Sequence, residues 1–263
     1  MNEKVKTIIK PKSLKDVFSE QIADSIKEHD RSNWGVFLSS LSAGLEVGFS
    51  VYCIVLVVTS LQGFSDNIVH VFQAAAYTIG FIFVVLSRSE LFTEQTALSV
   101  LPVLKKKASL KSLAKLWLSV FSGNILGCFI FALIFLQMNT SLEFVDGKLF
   151  ESIAYKIVHY GPFEILISAI IAGWLMALLS WMMTSCNDTI SRIVITFIVT
   201  FIIGLGNLHH SILGATEVFL GIMSSDAITI KDYLYFQPLA FLGNALGGII
   251  FVAVLKSSLV KFK

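Results

Sequence analysis

The chain has 263 residues, 55% of them hydrophobic and only 14% charged, and its mean hydropathy is +0.78. That composition excludes an ordinary soluble globular domain and predicts an integral membrane protein. A net charge of +2 is too small and too dispersed for a nucleic-acid surface, so no nucleic-acid partner is expected.

Residues 1–34 mix Lys with Asp and Glu and lack an apolar core ending in a small-residue cleavage site, so they are expected to be a cytoplasmic N-terminal segment and not a secretory signal peptide. Within them, "SLKDVFSEQIADSIKEHD" spaces its apolar residues at near-helical intervals. It is expected to form an amphipathic helix, lying on the membrane surface or packed on the protein. A crossing helix needs about 20 mostly apolar residues. Runs of that kind fall at 36–61, 69–104, 114–138, 162–184, 190–223 and 235–256, and the second and fifth are long and interrupted. The expected organisation is a transmembrane domain over 35–256 and a cytoplasmic tail over 257–263.

The link "KKKASLKSLAK" after the second run carries Lys105, Lys106, Lys107, Lys111 and Lys115 and no acid, whereas "GFSDN" after the first has no base. Cytoplasmic loops accumulate Lys and Arg, so both termini are predicted to be cytoplasmic, in keeping with Lys256, Lys261 and Lys263 in the tail. The stretch "SLEFVDGKLFESIAYK" then falls on the outside as a loop. Cys53, Cys128 and Cys186 show no CxxC spacing and are expected to be packing residues, and no metal or cofactor is expected.

"SGNILGCFIFALIF" in the third run resembles "LGNALGGIIFVAVL" in the sixth, and "SAGLEVGFS" in the first echoes "IAGWLMALLS" in the fourth. Each half then holds three crossings, so the halves run in opposite senses. Inverted repeats of this kind build a permeation site near the midplane from corresponding discontinuous helices. The interruptions are "SRSELFTEQT" and "GNLHHS". Backbone that leaves a helix at membrane depth must be buried in protein or face a watery cavity, and charges there usually face the interior.

In the first interruption Leu91 and Phe92 are candidates for an apolar constriction and Thr93 for a hydrogen bond to a passing solute. Arg88, Glu90 and Glu94 are expected to pair with one another or cap helix ends. In the second, His209 and His210 can exchange a proton with a weak acid or donate a hydrogen bond to an anion. Glu46 is an isolated acid deep in the first run and a candidate for the pathway. Lys156, just ahead of the fourth, could draw anions to a channel mouth.

These motifs together resemble the formate/nitrite transporter family, most closely its YfdC-like branch. The matching segments are "GFIFVVLSRSELFTEQTALSVLPV", "AKLWLSVFSGNILG", "AIIAGWLMALLSWM", "GLGNLHHSILGATEVF" and "PLAFLGNALGG", from about residue 35 to residue 256. The resemblance implies an all-α membrane protein: six transmembrane helices in two inverted three-helix repeats, aquaporin-like, assembled as a homopentamer in the cell (inner) membrane. It implies passage of small monovalent anions, such as formate and nitrite, by a channel or together with a proton. On residue matching, the family's loop falls on Leu91, Phe92 and Thr93. Its central His falls on His210 if "HSI" is aligned and on His209 if the preceding Gly is. Its basic residue ahead of the fourth span falls on Lys156, or on His159 if Pro162 is aligned. An Asn that family members carry in the fourth span is Gly173 here, and Glu46 replaces a small or apolar residue.

The alternatives are a neutral-solute pore and a non-conducting family member with a sensory or structural role. The paired NPA motifs of the former are absent. A membrane enzyme is not expected, because no axial His pair, metal cluster or nucleophile with its base is found.

Overall fold

The computed structural model describes residues 12–142, 145–250, 255, 256 and 258. Residues 1–11 and most of the tail, with Lys261 and Lys263, lie outside them. The elements are α1 (Leu14–Asp30), α2 (Asn33–Ser60), α3 (Asp66–Ser87), α4 (Phe92–Leu104), α5 (Leu110–Leu142), α6 (Gly147–Val158), α7 (Pro162–Ser185), α8 (Thr189–Leu205), α9 (Ser211–Ser224) and α10 (Ile230–Gly248). By length and composition α2, α3, α5 and α7 can each cross a membrane, and α8 and α9 are shorter apolar helices. Large side chains such as Phe72, Leu118, Ile134 and Phe163 lie exposed along the helices, as expected where the surrounding medium is lipid.

Helix α1 starts at a capping box: the Asp16 N–H donates to Ser13 Oγ and the Ser13 N–H donates to the Asp16 carboxylate. Its Val17, Phe18 and Ile22 are buried with Leu101, Ala177 and Trp181 of α4 and α7. Ser25 Oγ donates to the Leu98 carbonyl at 2.9 Å, and Lys12 Nζ donates to the Thr184 carbonyl at 2.8 Å. Of the two placements that the sequence allows, packing on the protein is therefore the one adopted.

The stretch read as an outer loop is largely helical. Asp146 caps α6 by accepting from the Lys148 N–H, and α6 buries Phe150, Ile153 and Ala154. A run of 12 residues is too short to register as a crossing.

Helices α2 and α5 approach closely through Gly44, Gly123 and Gly127, and α7 and α10 do the same through Gly173, Gly243 and Gly247. A Cβ on Gly44 would overlap the Asn124 carbonyl, and one on Gly173 would overlap the Asn244 carbonyl. No side chain fits at 173 while α10 keeps this approach, which gives a packing reason for the missing Asn. At Gly247 a Cβ would strike the backbone of Ile170 and Trp174. Gly247→Val is expected to cost about 1–3 kcal/mol or more, read as a lower unfolding temperature in detergent.

The two breaks share one construction. Each contains a non-glycine residue in the left-handed region, Arg88 at φ 60° and Asn207 at φ 48°. Each is tied down by a buried amide. Asn124 Oδ1 accepts from the Phe92 N–H at 2.8 Å, while its Nδ2 donates to the carbonyls of Ser40 (2.7 Å) and Glu90 (2.8 Å). Asn244 Oδ1 accepts from the Ser211 N–H at 2.8 Å, while its Nδ2 donates to the carbonyls of Ala169 (2.8 Å) and His209 (3.0 Å). Phe92 and Ser211 are the first residues of α4 and α9. The backbone groups freed by breaking the helix are thus satisfied inside the protein.

Candidate functional site

The breaks meet at Thr93 and His210. Thr93 Oγ1 and His210 Nε2 lie 2.7 Å apart, and both residues are almost wholly buried. His210 is also the N-cap of α9: its Nδ1 accepts from the Leu213 N–H at 3.2 Å. An Nδ1 used as an acceptor carries no proton in the neutral ring, so the Nε2–H is the one aimed at Thr93. The threonine hydroxyl keeps its own hydrogen for another acceptor. Because Thr93 stands in the first turn of α4, two helix N-termini converge here, each with the positive end of its dipole toward the junction. Such a junction favours negative charge.

A cavity lies on either side. The first, about 310 Å³, is lined by His70 and Tyr77 of α3, Lys156 of α6, Asn207, His210 and Glu217 among others. The second, about 240 Å³, is lined by Val85, Arg88, Glu90, Glu94, Ser180 and Arg192 among others. Tyr77 and Val84, the facing lining residues on α3, are seven residues apart, so the near ends of the two cavities lie about 10 Å apart along that helix. Phe81, between them on α3, meets the His210 ring edge-on at 5.1 Å and stacks on Tyr77.

The adjacent histidines are separated. His209 Nδ1 lies 2.9 Å from Ser168 Oγ, and its Nε2 lies 3.1 Å from the Ile157 carbonyl. Its ring packs against Tyr160 and Phe236, and it does not line the first cavity. Lys156 lines that cavity, whereas His159 stacks on Tyr155 and does not.

Leu91 and Phe92 are fully buried at the start of α4. Phe92 stacks on Phe241 at 4.6 Å and meets Trp117 and Phe121 edge-on. Glu46 lines neither cavity. Its carboxylate accepts from Ser42 (3.0 Å), Ser87 (2.8 Å) and Ser89 (3.1 Å), joining α2 to the end of α3.

Of the charges of the first break, Glu90 and Glu94 find partners elsewhere in the chain and Arg88 caps a helix end. Glu90 pairs with Arg31 at 2.7 Å, from just beyond α1, and accepts from Gln95. Arg31 also pairs with Glu28; partial burial pulls its guanidinium down, but Glu28 and Glu90 together outweigh that and hold it above its ordinary range. Glu94 accepts from Ser180 Oγ. Arg88 is the left-handed C-cap of α3, and its side chain faces the second cavity.

Sequence reading overlooked Tyr77, Asn207 and Glu217 on the cavity wall, and the paired roles of Asn124 and Asn244. For Glu217 a signal was present: in "HSILGATE" it stands seven residues after His210, two turns along the same helix face.

An all-helical fold in which two helix breaks, each tied down by a buried amide, meet between two cavities is that of a membrane channel or transporter. The sequence model of the formate/nitrite transporter family matches residues 15–258. The chain belongs to that family, on its YfdC-like branch. It is 30% identical over 241 residues to the inner membrane protein YfdC of Escherichia coli (strain K12), covering 90% of this chain and 76% of that one. Among solved structures it resembles an FNT family ion channel, with a TM-score of 0.83, 22% identity and coverage of 94% of this chain and 99% of the other. It also resembles a pentameric formate channel with formate bound, with a TM-score of 0.74, 22% identity and coverage of 88% and 98%.

Proposed function

We propose that this protein passes small monovalent weak-acid anions, formate or nitrite among them, through each protomer by way of Thr93 and His210. The observation that carries this reading is the junction of two helix N-termini at the Thr93–His210 contact between two cavities. An anion there gains from both helix dipoles and from two convergent donors, which offsets part of the cost of leaving water. Lys156 draws the anion into the first cavity, and Leu91 and Phe92 help to close the passage against water. His210 stabilises the anion through its Nε2–H.

The paired geometry of Asn124 and Asn244, and of Gly44 and Gly173, supports two inverted three-helix repeats with six crossings. The first cavity then opens to the outside and the second, beside α1 and the lysines after α4, to the cytoplasm, with both termini cytoplasmic in the cell membrane. The likeness to a pentameric channel supports a homopentamer. The test is uptake of labelled formate, nitrite and acetate into proteoliposomes at several pH values. Uptake above that of empty vesicles for at least one anion is expected; all three at the empty-vesicle rate would overturn the reading.

A further inference from the structure

Glu217 has no role so far. It lies on α9, is 6% exposed and faces the first cavity, yet among the described residues its carboxylate accepts no hydrogen bond and forms no ion pair within 4.0 Å. Its carboxylate oxygens stay open to that cavity, although a carboxyl group this deep in a protein is normally hydrogen-bonded or paired. The Tyr77 hydroxyl, on the wall of the same cavity, is likewise buried with no partner. An unpaired carboxylate open to the cavity, a buried hydroxyl without a partner and a lysine on the same wall mark a place where something binds.

We propose that Glu217 is the proton-binding group of the first cavity, and that a proton on Glu217 and an anion at Lys156 are bound together. This deepens the transport reading above and rests on it. Among the described residues that line this cavity, Glu217 is the only carboxylate and Lys156 the only lysine. With Glu217 ionised, the two charges offset each other across the cavity and an entering anion meets no net attraction. With Glu217 protonated, Lys156 is unopposed. Anion binding therefore favours protonation, and protonation favours anion binding by the same factor.

Other titratable groups surround α9. His70 and Tyr77 come from α3, Lys156 from α6, and Tyr160 from the turn that follows it; His210 precedes α9 itself. From α5 comes Cys128, whose Sγ–H donates to the Ile212 carbonyl, and from α10 Tyr233, stacked on Phe219. Among the described residues α2 and α4 place no charged group on this wall. Ordinary tyrosine and cysteine side chains titrate at alkaline pH, so below neutrality the rivals of Glu217 are the two histidines. Infrared spectroscopy tells a carboxyl from an imidazole.

The experiment uses the full-length protein in liposomes and compares wild type with Glu217→Gln. In infrared difference spectra between acid and neutral pH, the wild type is expected to show a carboxylic-acid C=O band that Glu217→Gln lacks. Adding formate at fixed pH should strengthen that band in the wild type and not in Lys156→Gln. Wild-type formate uptake should rise about tenfold on acidifying the outside, and in Glu217→Gln that ratio should fall to about one. Identical bands in wild type and variant, or a band indifferent to formate, overturns the proposal. So does an unchanged pH profile in a transporting Glu217→Gln. Absent wild-type uptake with the band and its formate response intact would instead count against the transport reading and uphold the paired site. If Glu217→Gln does not fold, Glu217→Asp replaces it: a shifted band supports the assignment and an unshifted one overturns it.

Discussion

His210→Ala is expected to lower formate uptake in proteoliposomes by about ten- to hundred-fold, the kinetic equivalent of losing one hydrogen bond of about 1.5–3 kcal/mol to a charged group. His210 Nε2 lies 2.7 Å from Thr93 Oγ1 at the junction of α4 and α9. His210→Asn separates the two duties of the residue. Asparagine is a good N-cap, so it should keep the start of α9 in place while removing the imidazole. Uptake in His210→Asn close to the alanine level assigns the loss to the ring; uptake close to wild type would mean that only the cap matters.

His209→Ala supplies the contrast. It removes the ring contacts to Ser168 Oγ and the Ile157 carbonyl, although the residue-209 N–H still donates to Ser168 Oγ, so about 1–3 kcal/mol of stability should be lost while uptake per folded molecule stays near wild type. Equal loss of uptake in both alanine variants would remove the distinction between the two histidines.

The second large effect is on stability. Asn124→Ala deprives the Phe92 N–H and the Glu90 carbonyl of their partner inside the protein, at about 1–3 kcal/mol each, so a loss of about 2–6 kcal/mol is expected. Asn244→Ala should cost as much, since it does the same to the Ser211 N–H and the His209 carbonyl. Leucine at either position keeps the branched outline of asparagine, with somewhat more bulk, but cannot make the hydrogen bonds. A lowered unfolding temperature in detergent that persists with leucine assigns the effect to the amide. Full recovery with leucine would assign it to packing instead.

Both effects bear on how the pathway is held. A helix broken in a bilayer exposes backbone donors and acceptors that lipid cannot satisfy, and the two asparagines meet that demand from neighbouring helices. The glycines beside them let α2 reach α5 and α7 reach α10 closely enough for the amides to span the gap. Stability and site geometry therefore rest on the same residues. Variants at the amides should lose both, whereas variants at His210 should lose transport first.

Much of this was legible in the chain. Hydropathy and run length identify a membrane protein and locate both interruptions, because the cost of placing charge and free backbone in hydrocarbon leaves a visible mark on composition. The recurring "GN" segments likewise point to the third and sixth runs as partners, which is where Asn124 and Asn244 act. Helix α6 was not visible as a helix, since an amphipathic segment of its length carries no crossing signal. The partners of Glu90 were also hidden, because Arg31 is fifty-nine residues away in sequence.

The two histidines mark the boundary most sharply. Local sequence identifies a polar pair at a helix break, and the resemblance permits either of them as the central residue. Outside regular helix, however, the direction of adjacent side chains is set by whatever surrounds each one, and here those surroundings are remote. Ser168 and the Ile157 carbonyl hold His209 aside, while the cap of α9 and Thr93, more than a hundred residues earlier, hold His210 at the junction. Contacts at such separations exist only once the helices have packed, and no short-range pattern encodes them.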